Sequence, residues 1–575
     1  MDTARREQRH WPEIIEEAHQ CSMEVKKMER SVDVKRWSRA ASAVLAAVVM
    51  TVPPLVILLP GRNFGTPGVW IQTAVSSLRQ GTSSTNDLPL HQRTPRHDDR
   101  LLGGLLVDGF DERSCHSRYQ SATYRRNPGR RPSPYLVSKL RRHEALQRRC
   151  GPGTPAYSNA LEQLRSGRES AAASPECRYI VSLPYQGLGN RILAAASAFL
   201  YALLTDRVLL LDPSDGMDGL FCEPFPGATW LLPPGFPLQG YATFTNDTAE
   251  TYGNMLRNKV IGAGAGASPP AFAYVYLHSD ASAHDKSFFW DEGQALLRRI
   301  QWLVMRTDNY VVPGLFLADT FRAELEKMFP ERDAVFHHLG RYLFHPNNHV
   351  WGLVARYHDA YLAGAARLVG VQVRVFGAQP NSPELLAQIT SCTQKHRLLP
   401  EVLATGEPTT PPAAASGAKS KLAVLVTSLK PWYQEKLKSM YWEHAAANGE
   451  VVSVHQPSHE EYQRFGVGSH DRKAWAEIYL LSLADELVTT SQSTFGYVAQ
   501  GLAGVRPWVM YRPDNGTAVP DPPCGRAVSM EPCFFAAPNY NLWKKQWLDA
   551  STVVPHVKNC ADFPWGGLML VGRNE

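Results

Sequence analysis

Arg178-Tyr-Ile-Val-Ser-Leu-Pro184, Tyr185-Gln-Gly-Leu-Gly-Asn-Arg191, Ile192 to Thr205 and Arg207-Val-Leu-Leu-Leu-Asp212 follow one another in the chain. The first run is short and apolar and reads as a strand. The second is a glycine turn, the third has a helical pattern, and the fourth is again an apolar strand. This succession predicts a parallel βαβ unit whose glycine loop falls at the carboxyl end of a strand, where open α/β sheets bind ligands.

A longer alternation begins at Val369-Gly-Val-Gln-Val-Arg-Val-Phe376. Helical Pro383 to Lys395, strand Leu422 to Thr427, helical Tyr433 to Ala447 and strand Val451 to Val454 continue it. Helical Asp471 to Ala484, strand Glu486 to Thr490, helical Thr494 to Leu502 and strand Pro507 to Tyr511 complete a doubly wound pattern. The expected fold class is α/β, with two Rossmann-like halves, 101–368 and 369–575, facing a cleft and a C-terminal return segment. Pro400 to Ser420 is a Pro/Ala/Thr-rich insert and reads as a surface loop. Pro134 to Leu146 looks helical, with a solvated basic face.

Outside the halves, Ala40 to Pro60 (AASAVLAAVVMTVPPLVILLP) has no charge and matches the roughly twenty residues that cross a bilayer. Lys26, Lys27, Arg30, Lys35, Arg36 and Arg39 precede it and only Arg62 follows closely, which predicts a cytosolic tail at 1–39 and a single span at 40–60. A cleavable signal peptide and a short buried helix are the competing readings, and Pro53-Pro54 is the feature against a span. Residues 61–100 read as a flexible stem. Cys21 precedes the apolar run, and Cys115, Cys150, Cys177, Cys222, Cys392, Cys524, Cys533 and Cys560 follow it without CxxC spacing. That pattern fits disulfides in an oxidising compartment, with the pairing undetermined. The sequons at Asn246 and Asn515 agree with luminal exposure.

At 575 residues, 44% hydrophobic and 20% charged, the chain has ordinary globular composition. Its net charge of +6 is concentrated near the N-terminus and between Arg113 and Arg149, so nucleic acid is not demanded as a partner. No two Asp residues are separated by a single residue, and there is no Walker A pattern, so the acidic DxD device that holds a metal on a sugar nucleotide is absent.

Gly187, Gly189 and Asn190 at a helix start either offer backbone N–H groups to an anion or form a tight turn needing positive φ; Arg191 favours the anion. Arg374 alternates with Val371, Val373 and Val375, and on that apolar strand it needs a buried carboxylate or a diphosphate as partner. Ser493, Thr494, Phe495, Gly496 and Tyr497 open a helix with more hydroxyls than a cap requires. Asp308 is a lone carboxylate after an apolar segment. His337, His338 and His345 lack metal spacing and read as satisfied, half-buried side chains.

LLGGLLVDGFDE (101–112), PYQGLGNRILAAASAFLYALLTDR (184–207), HHLGRYLFHPNNHVWG (337–352), GVQVRVF (370–376) and SQSTFGYVAQGLAG (491–504) resemble the plant xyloglucan fucosyltransferase family from about Leu101 onward. The resemblance implies a GT-B fold and metal-independent, inverting transfer of L-fucose from GDP-fucose to the 2-hydroxyl of a galactosyl or arabinosyl residue in the Golgi. It further implies that Arg374 contacts the GDP β-phosphate, that Ser493 to Tyr497 cradle guanosine and phosphates, and that Asn190 and Arg191 close the cleft. His337 joins the substrate-binding set, Asp308 is the candidate base, and Asp562 is a second carboxylate near the cleft. No cofactor is implied. The partners are GDP-fucose, a glycan acceptor and the membrane, and a homodimer is left open. One position departs from the family pattern: Gly377 stands where an acidic residue is usual, beside Arg374. The alternatives are a catalytically weak homologue that binds polysaccharide or a partner, and a transferase for another nucleotide sugar.

Overall fold

The computed structural model describes residues 99–127, 129–166, 176–262, 269–375, 380–403, 421–512 and 519–572. The expected tail and membrane span, stem residues 61–98, insert residues 404–420, Phe376, Gly377 and the Asn515 sequon lie outside them.

Nearly every residue of the central strands is apolar because a parallel sheet is covered on both faces. In the first half, β1 (Tyr179–Leu183), β2 (Val208–Leu211), β3 (Phe272–Tyr276) and β4 (Trp302–Arg306) form a parallel sheet in the order β2-β1-β4-β3. Helix α1 (Pro134–Cys150) keeps the expected solvated basic face in Arg142, Arg148 and Arg149, and on its other side buries Leu136, Lys139, Leu140, His143, Glu144, Gln147 and Cys150. Gln147 explains part of this, because it caps the sheet edge by donating to the Leu209 and Thr229 carbonyls.

Helix α2 (Leu188–Thr205) carries LAAASAFLYALL between Arg191 and Asp206 and is buried all round. A helix apolar on every face must be enclosed by protein or lipid. This one is 94% buried inside the first half and its contacts with the second.

In the second half the elements are β5 (Arg367–Gln372), α3 (Pro383–Lys395), β6 (Lys421–Thr427), α4 (Trp432–Glu443), β7 (Val451–His455), α5 (Gly468–Leu481), β8 (Glu486–Thr490), α6 (Thr494–Ala503), β9 (Trp508–Met510) and β10 (Gly525–Arg526). The sheet order is β10-β9-β8-β5-β6-β7, parallel except for β10. These bounds follow the sequence expectation to within a few residues. β5 ends at Gln372, so Arg374 sits in the loop beyond the strand. The return segment includes the β11 (Tyr540–Asn541) and β12 (Gln546–Trp547) hairpin and the paired strands β13 (Val557–Cys560) and β14 (Phe563–Leu570). It packs on the first half through Phe534 against Phe289 and through Tyr310 Oη, which donates to Glu531 at 2.8 Å.

All eight cysteines after the apolar run are paired, as Cys115–Cys222, Cys150–Cys177, Cys392–Cys524 and Cys533–Cys560. Each bridge lies within a half or within the return segment.

The two halves meet closely where the start of α2 reaches the start of α6. A Cβ on Gly189 would lie 2.7 Å from the Thr494 carbonyl carbon and 2.8 Å from the Phe495 nitrogen, both backbone atoms that cannot swing away. Gly187 has φ −65°, and the left-handed residue of the turn is Gln186 at φ 65°. Positive φ is therefore not the reason for these glycines. Gly189 is required by close backbone approach.

The Gly189→Ala variant should lose stability by about 1–3 kcal/mol through overpacking. Gly187→Ala, whose Cβ would meet side-chain atoms alone, the Gln463 nitrogen at 3.0 Å and Asn190 Oδ1 at 3.8 Å, should lose less. Thermal unfolding of the two proteins checks this, with the Gly189 variant melting lower.

Candidate active site

Strand order determines where the site lies. In the first sheet β1 leads outward to β2, while β4 lies on its other side, so the connections diverge between β1 and β4. In the second sheet they diverge between β5 and β8. Such switch points leave a crevice outside the carboxyl ends of the strands. The loop after β1 and the first turn of α2 carry Gln186 to Asn190, the loop after β4 carries Asp308, the loop after β5 carries Arg374, and the loop after β8 with the start of α6 carries Gln492 to Thr494. All of these line one cavity of about 380 Å³ between the halves.

Two helix N-termini open into this cavity from opposite sides. The N-cap of α2 is Gly187 and that of α6 is Ser493, and neither helix has a side-chain cap hydrogen bond. First-turn N–H groups left this way, at the positive end of a helix dipole, favour an anion. Asn190 ties the two ends together: its Nδ2 donates to the Asp308 carbonyl at 2.8 Å, and its Oδ1 accepts from Thr494 Oγ1 at 2.8 Å. The residue before each N-cap is a glutamine in the left-handed region, Gln186 at φ 65° and Gln492 at φ 57°. Strained backbone of this kind persists where surrounding contacts over-determine it. For Gln492 those contacts come from Asp562, whose Oδ2 accepts from the Gln492 N–H at 2.9 Å and whose carbonyl accepts from Nε2 at 3.0 Å.

Arg374 faces this loop. Its backbone N–H donates to Thr490 Oγ1 at 3.0 Å and its Nη1 lies 3.5 Å from Gln463 Oε1. Burial lowers its guanidinium pKa from the ordinary value. On the opposite wall, Asp308 Oδ2 accepts from Ser279 Oγ at 2.7 Å and lies 3.1 Å from His278 Nε2. Burial raises the Asp308 pKa, and the His278 charge and the Ser279 bond pull it back only in part. The carboxyl therefore binds a proton more readily than an exposed aspartate does.

Several sequence assignments move. Arg191 does not line the cavity: its Nη2 pairs with Asp471 Oδ1 at 2.8 Å and Nη1 donates to the Asp215 carbonyl, both side chains of the pair being buried. It joins the halves from behind the wall. His337 is fully buried and away from the cavity, with Nδ1 on the Gly501 carbonyl at 2.8 Å and Nε2 accepting from the Arg130 N–H at 3.2 Å. Those two bonds satisfy a neutral ring, which is the reading its residue context alone favoured, and a substrate-contacting role is corrected. Asp562 stands behind the wall, where Tyr497 Oη also donates to it at 2.5 Å. Gly496 and Tyr497 are likewise behind the lining: a Cβ on Gly496 would meet the Thr489 side chain at 3.1 Å. Asn246 is half-buried in a loop, with Nδ2 3.4 Å from Asp280 Oδ2. Among the described residues, the group of three side chains with metal-ligand potential is Cys533, Cys560 and Asp562, and a disulfide ties up both sulfurs.

The sequence reading missed Asp471 and Glu477 on α5, along with Ser458, Glu460 and Gln463 of the preceding loop. Glu477 accepts from both the Ser458 hydroxyl and its N–H, and burial pushes its carboxyl up to about 7. Asp471 Oδ2 has no hydrogen-bond partner among the described residues. A signal existed. His470 and Glu477, two turns apart, put polar side chains on one face of a helix otherwise rich in apolar residues, so that face points to something other than solvent.

Comparisons with known proteins identify the family. The xyloglucan fucosyltransferase family model matches residues 72–543. The galactoside 2-alpha-L-fucosyltransferase of Arabidopsis thaliana is 52% identical over 474 residues, 82% of this chain and 83% of the relative. The protein of the same name from Pisum sativum is 50% identical over 471 residues, 82% of each chain. The solved structure of an A. thaliana FUT1 mutant in complex with GDP superposes with a TM-score of 0.75 at 51% identity, covering 82% of this chain and all of that one. With matches of this extent, the chain belongs to the xyloglucan fucosyltransferase family and is an enzyme of the fucosyltransferase class.

Proposed function

We propose that the chain is a GT-B-type enzyme that moves L-fucose from GDP-fucose, with inversion, to the 2-hydroxyl of a galactosyl or arabinosyl residue of a cell-wall glycan. The observation that carries this reading is the convergence of Arg374 and two uncapped helix N-termini on one wall and junction of the cavity, with the buried carboxylate Asp308 opposite. The donor diphosphate lies against Arg374 and the first turns of α2 and α6. As the bond from fucose C1 to the β-phosphate oxygen breaks, negative charge grows on the diphosphate, and fixed N–H donors and a guanidinium meet it without reorganising. The acceptor hydroxyl attacks C1 from the opposite face, and its proton passes to Asp308. Arg374, the helix amides and the loop hydroxyls carry the charge of the leaving group in this scheme, with no metal step.

The paired cysteines support an oxidising compartment. We place the catalytic part in the Golgi lumen, anchored by residues 40–60 as a single-pass type II protein, with glycosylation at Asn246 and Asn515. Full-length protein offered GDP-fucose with galactosylated xyloglucan or an arabinogalactan glycan should transfer fucose. Absence of both transfer and GDP binding overturns the proposal.

Three further outcomes follow from the site. Arg374→Lys should lose roughly 100-fold in kcat/KM, because an ammonium cannot reproduce the bidentate fork on a diphosphate; kinetics with varied GDP-fucose read this directly. Asp308 is raised, so it loses its charge as pH falls through a value above the ordinary ~3.9 of an aspartate. The kcat/KM profile should therefore fall on the acid side at a pH above that value, and Asp308→Asn should lower kcat, keep GDP-fucose binding and abolish this limb. Activity should also survive prior treatment with a chelator, measured as fucose transferred with and without EDTA.

A further inference from the structure

A run of aromatic rings leads from the cavity to solvent. Phe535 lines the cavity, and its ring packs edge-on against Phe563 at 5.4 Å between centroids. Phe563 in turn lies 5.3 Å from Trp565, which is 66% exposed. Behind Phe535, Tyr497 stands at 5.9 Å and connects the run to the loop held by Asp562. Phe563, Pro564 and Trp565 leave a contiguous, partly exposed apolar surface at the cavity, the kind of surface that marks a ligand groove.

The run is held rigidly. The Cys533–Cys560 disulfide ties the two segments that carry it, and Phe534 and Leu568 exchange backbone hydrogen bonds at 2.8 and 2.9 Å. Gly567 has no side chain because a Cβ there would lie 2.6 Å from Cys533 Sγ and 3.0 Å from Cys560 Sγ. The same segment is fastened to the loop of Asp308. Glu531 accepts from Tyr310 Oη, two residues beyond Asp308, and from the Phe336 N–H, both at 2.8 Å. The segment is thus fastened both to the loop of Asp308, through Glu531, and to the Gln492 loop, through Asp562, so the rings stand at the junction of the two walls.

We propose that Phe535, Phe563 and Trp565 form a stacking ramp for a neutral glycan chain, gripping sugar residues that neighbour the one receiving fucose. This rests on the transferase reading above. The axial C–H groups of a pyranose present an apolar, slightly positive face, which is complementary to the negative face of an aromatic ring. Phe563-Pro-Trp565-Gly-Gly567 carries no charge, so this surface offers an anionic polymer no counter-charge. A preformed rigid platform binds with little ordering cost, which suits a flexible polysaccharide.

The test uses the full-length chain with Trp565→Ala and Trp565→Tyr. Trp565→Ala should raise KM for a long galactosylated oligosaccharide roughly tenfold, in line with one lost aromatic contact. KM for GDP-fucose and kcat at saturating acceptor should stay near wild type, and KM for a short galactoside should barely move. Trp565→Tyr should restore most of the long-acceptor affinity. An unchanged KM for the long acceptor in Trp565→Ala overturns the ramp. The same holds if that variant changes only the oligomeric state, which would make the rings an interface between copies. If the wild-type chain transfers no fucose, the transferase reading fails on its own. Calorimetric binding of the oligosaccharide to wild type and Trp565→Ala then decides the ramp separately: weaker binding by the variant supports it, and equal or absent binding overturns it.

Discussion

The near-contact of two helix starts, at Gly189 and Thr494, is the constraint on which the remaining structure depends. Backbone meets backbone there with room for no β-carbon, and Asn190 bridges the junction to the Asp308 carbonyl and the Thr494 hydroxyl. Because the helices meet end-on at their N-termini, their unsatisfied N–H groups lie beside the crevice rather than being buried against it. A polar junction of this kind is costly to bury without partners, and the partners are supplied from both halves.

Behind that junction the structure uses charged side chains as supports, some of which, such as Arg191 and Asp562, do not line the cavity. Arg191 and Asp471 form a buried ion pair between the halves. Such pairs add little net stability but are expensive to break on one side, so they specify how two surfaces fit. Asp562 plays the corresponding part for the α6 loop, holding Gln492 in a left-handed conformation through three hydrogen bonds shared with Tyr497. Residues with the chemistry of a catalytic group are thus employed as supports. The groups that line the cavity include Arg374 on one wall, Asp308 on the other, the two helix ends between them, and Asp471 and Glu477 of α5.

Asymmetry between the walls gives the site its direction. The second half contributes the guanidinium and hydroxyls suited to a leaving diphosphate. The first half, with the return segment fastened to it through Glu531 and Tyr310, contributes a buried carboxyl and a run of aromatic rings. Disulfides hold each unit internally and leave the junction between halves to noncovalent contacts.

The alternation of apolar runs and helical patterns sufficed for the βαβ order, for Arg374 and Ser493 at the ends of their strands, and for eight cysteines free to pair. These are local properties, carried by hydrophobic period and turn chemistry within a few residues. Tertiary structure alone decided which cysteines met, that Gly189 answers to packing rather than to positive φ, and that Arg191, His337 and Asp562 stand behind the cavity. It also brought Asp471 and Glu477 into the site from a helix whose polar face, in the sequence, names no ligand. The physical reason is the same in each case. A charged or polar residue near a glycine turn has the same sequence signature whether its partner is a ligand or a side chain hundreds of residues away, and only the fold determines which of the two it meets.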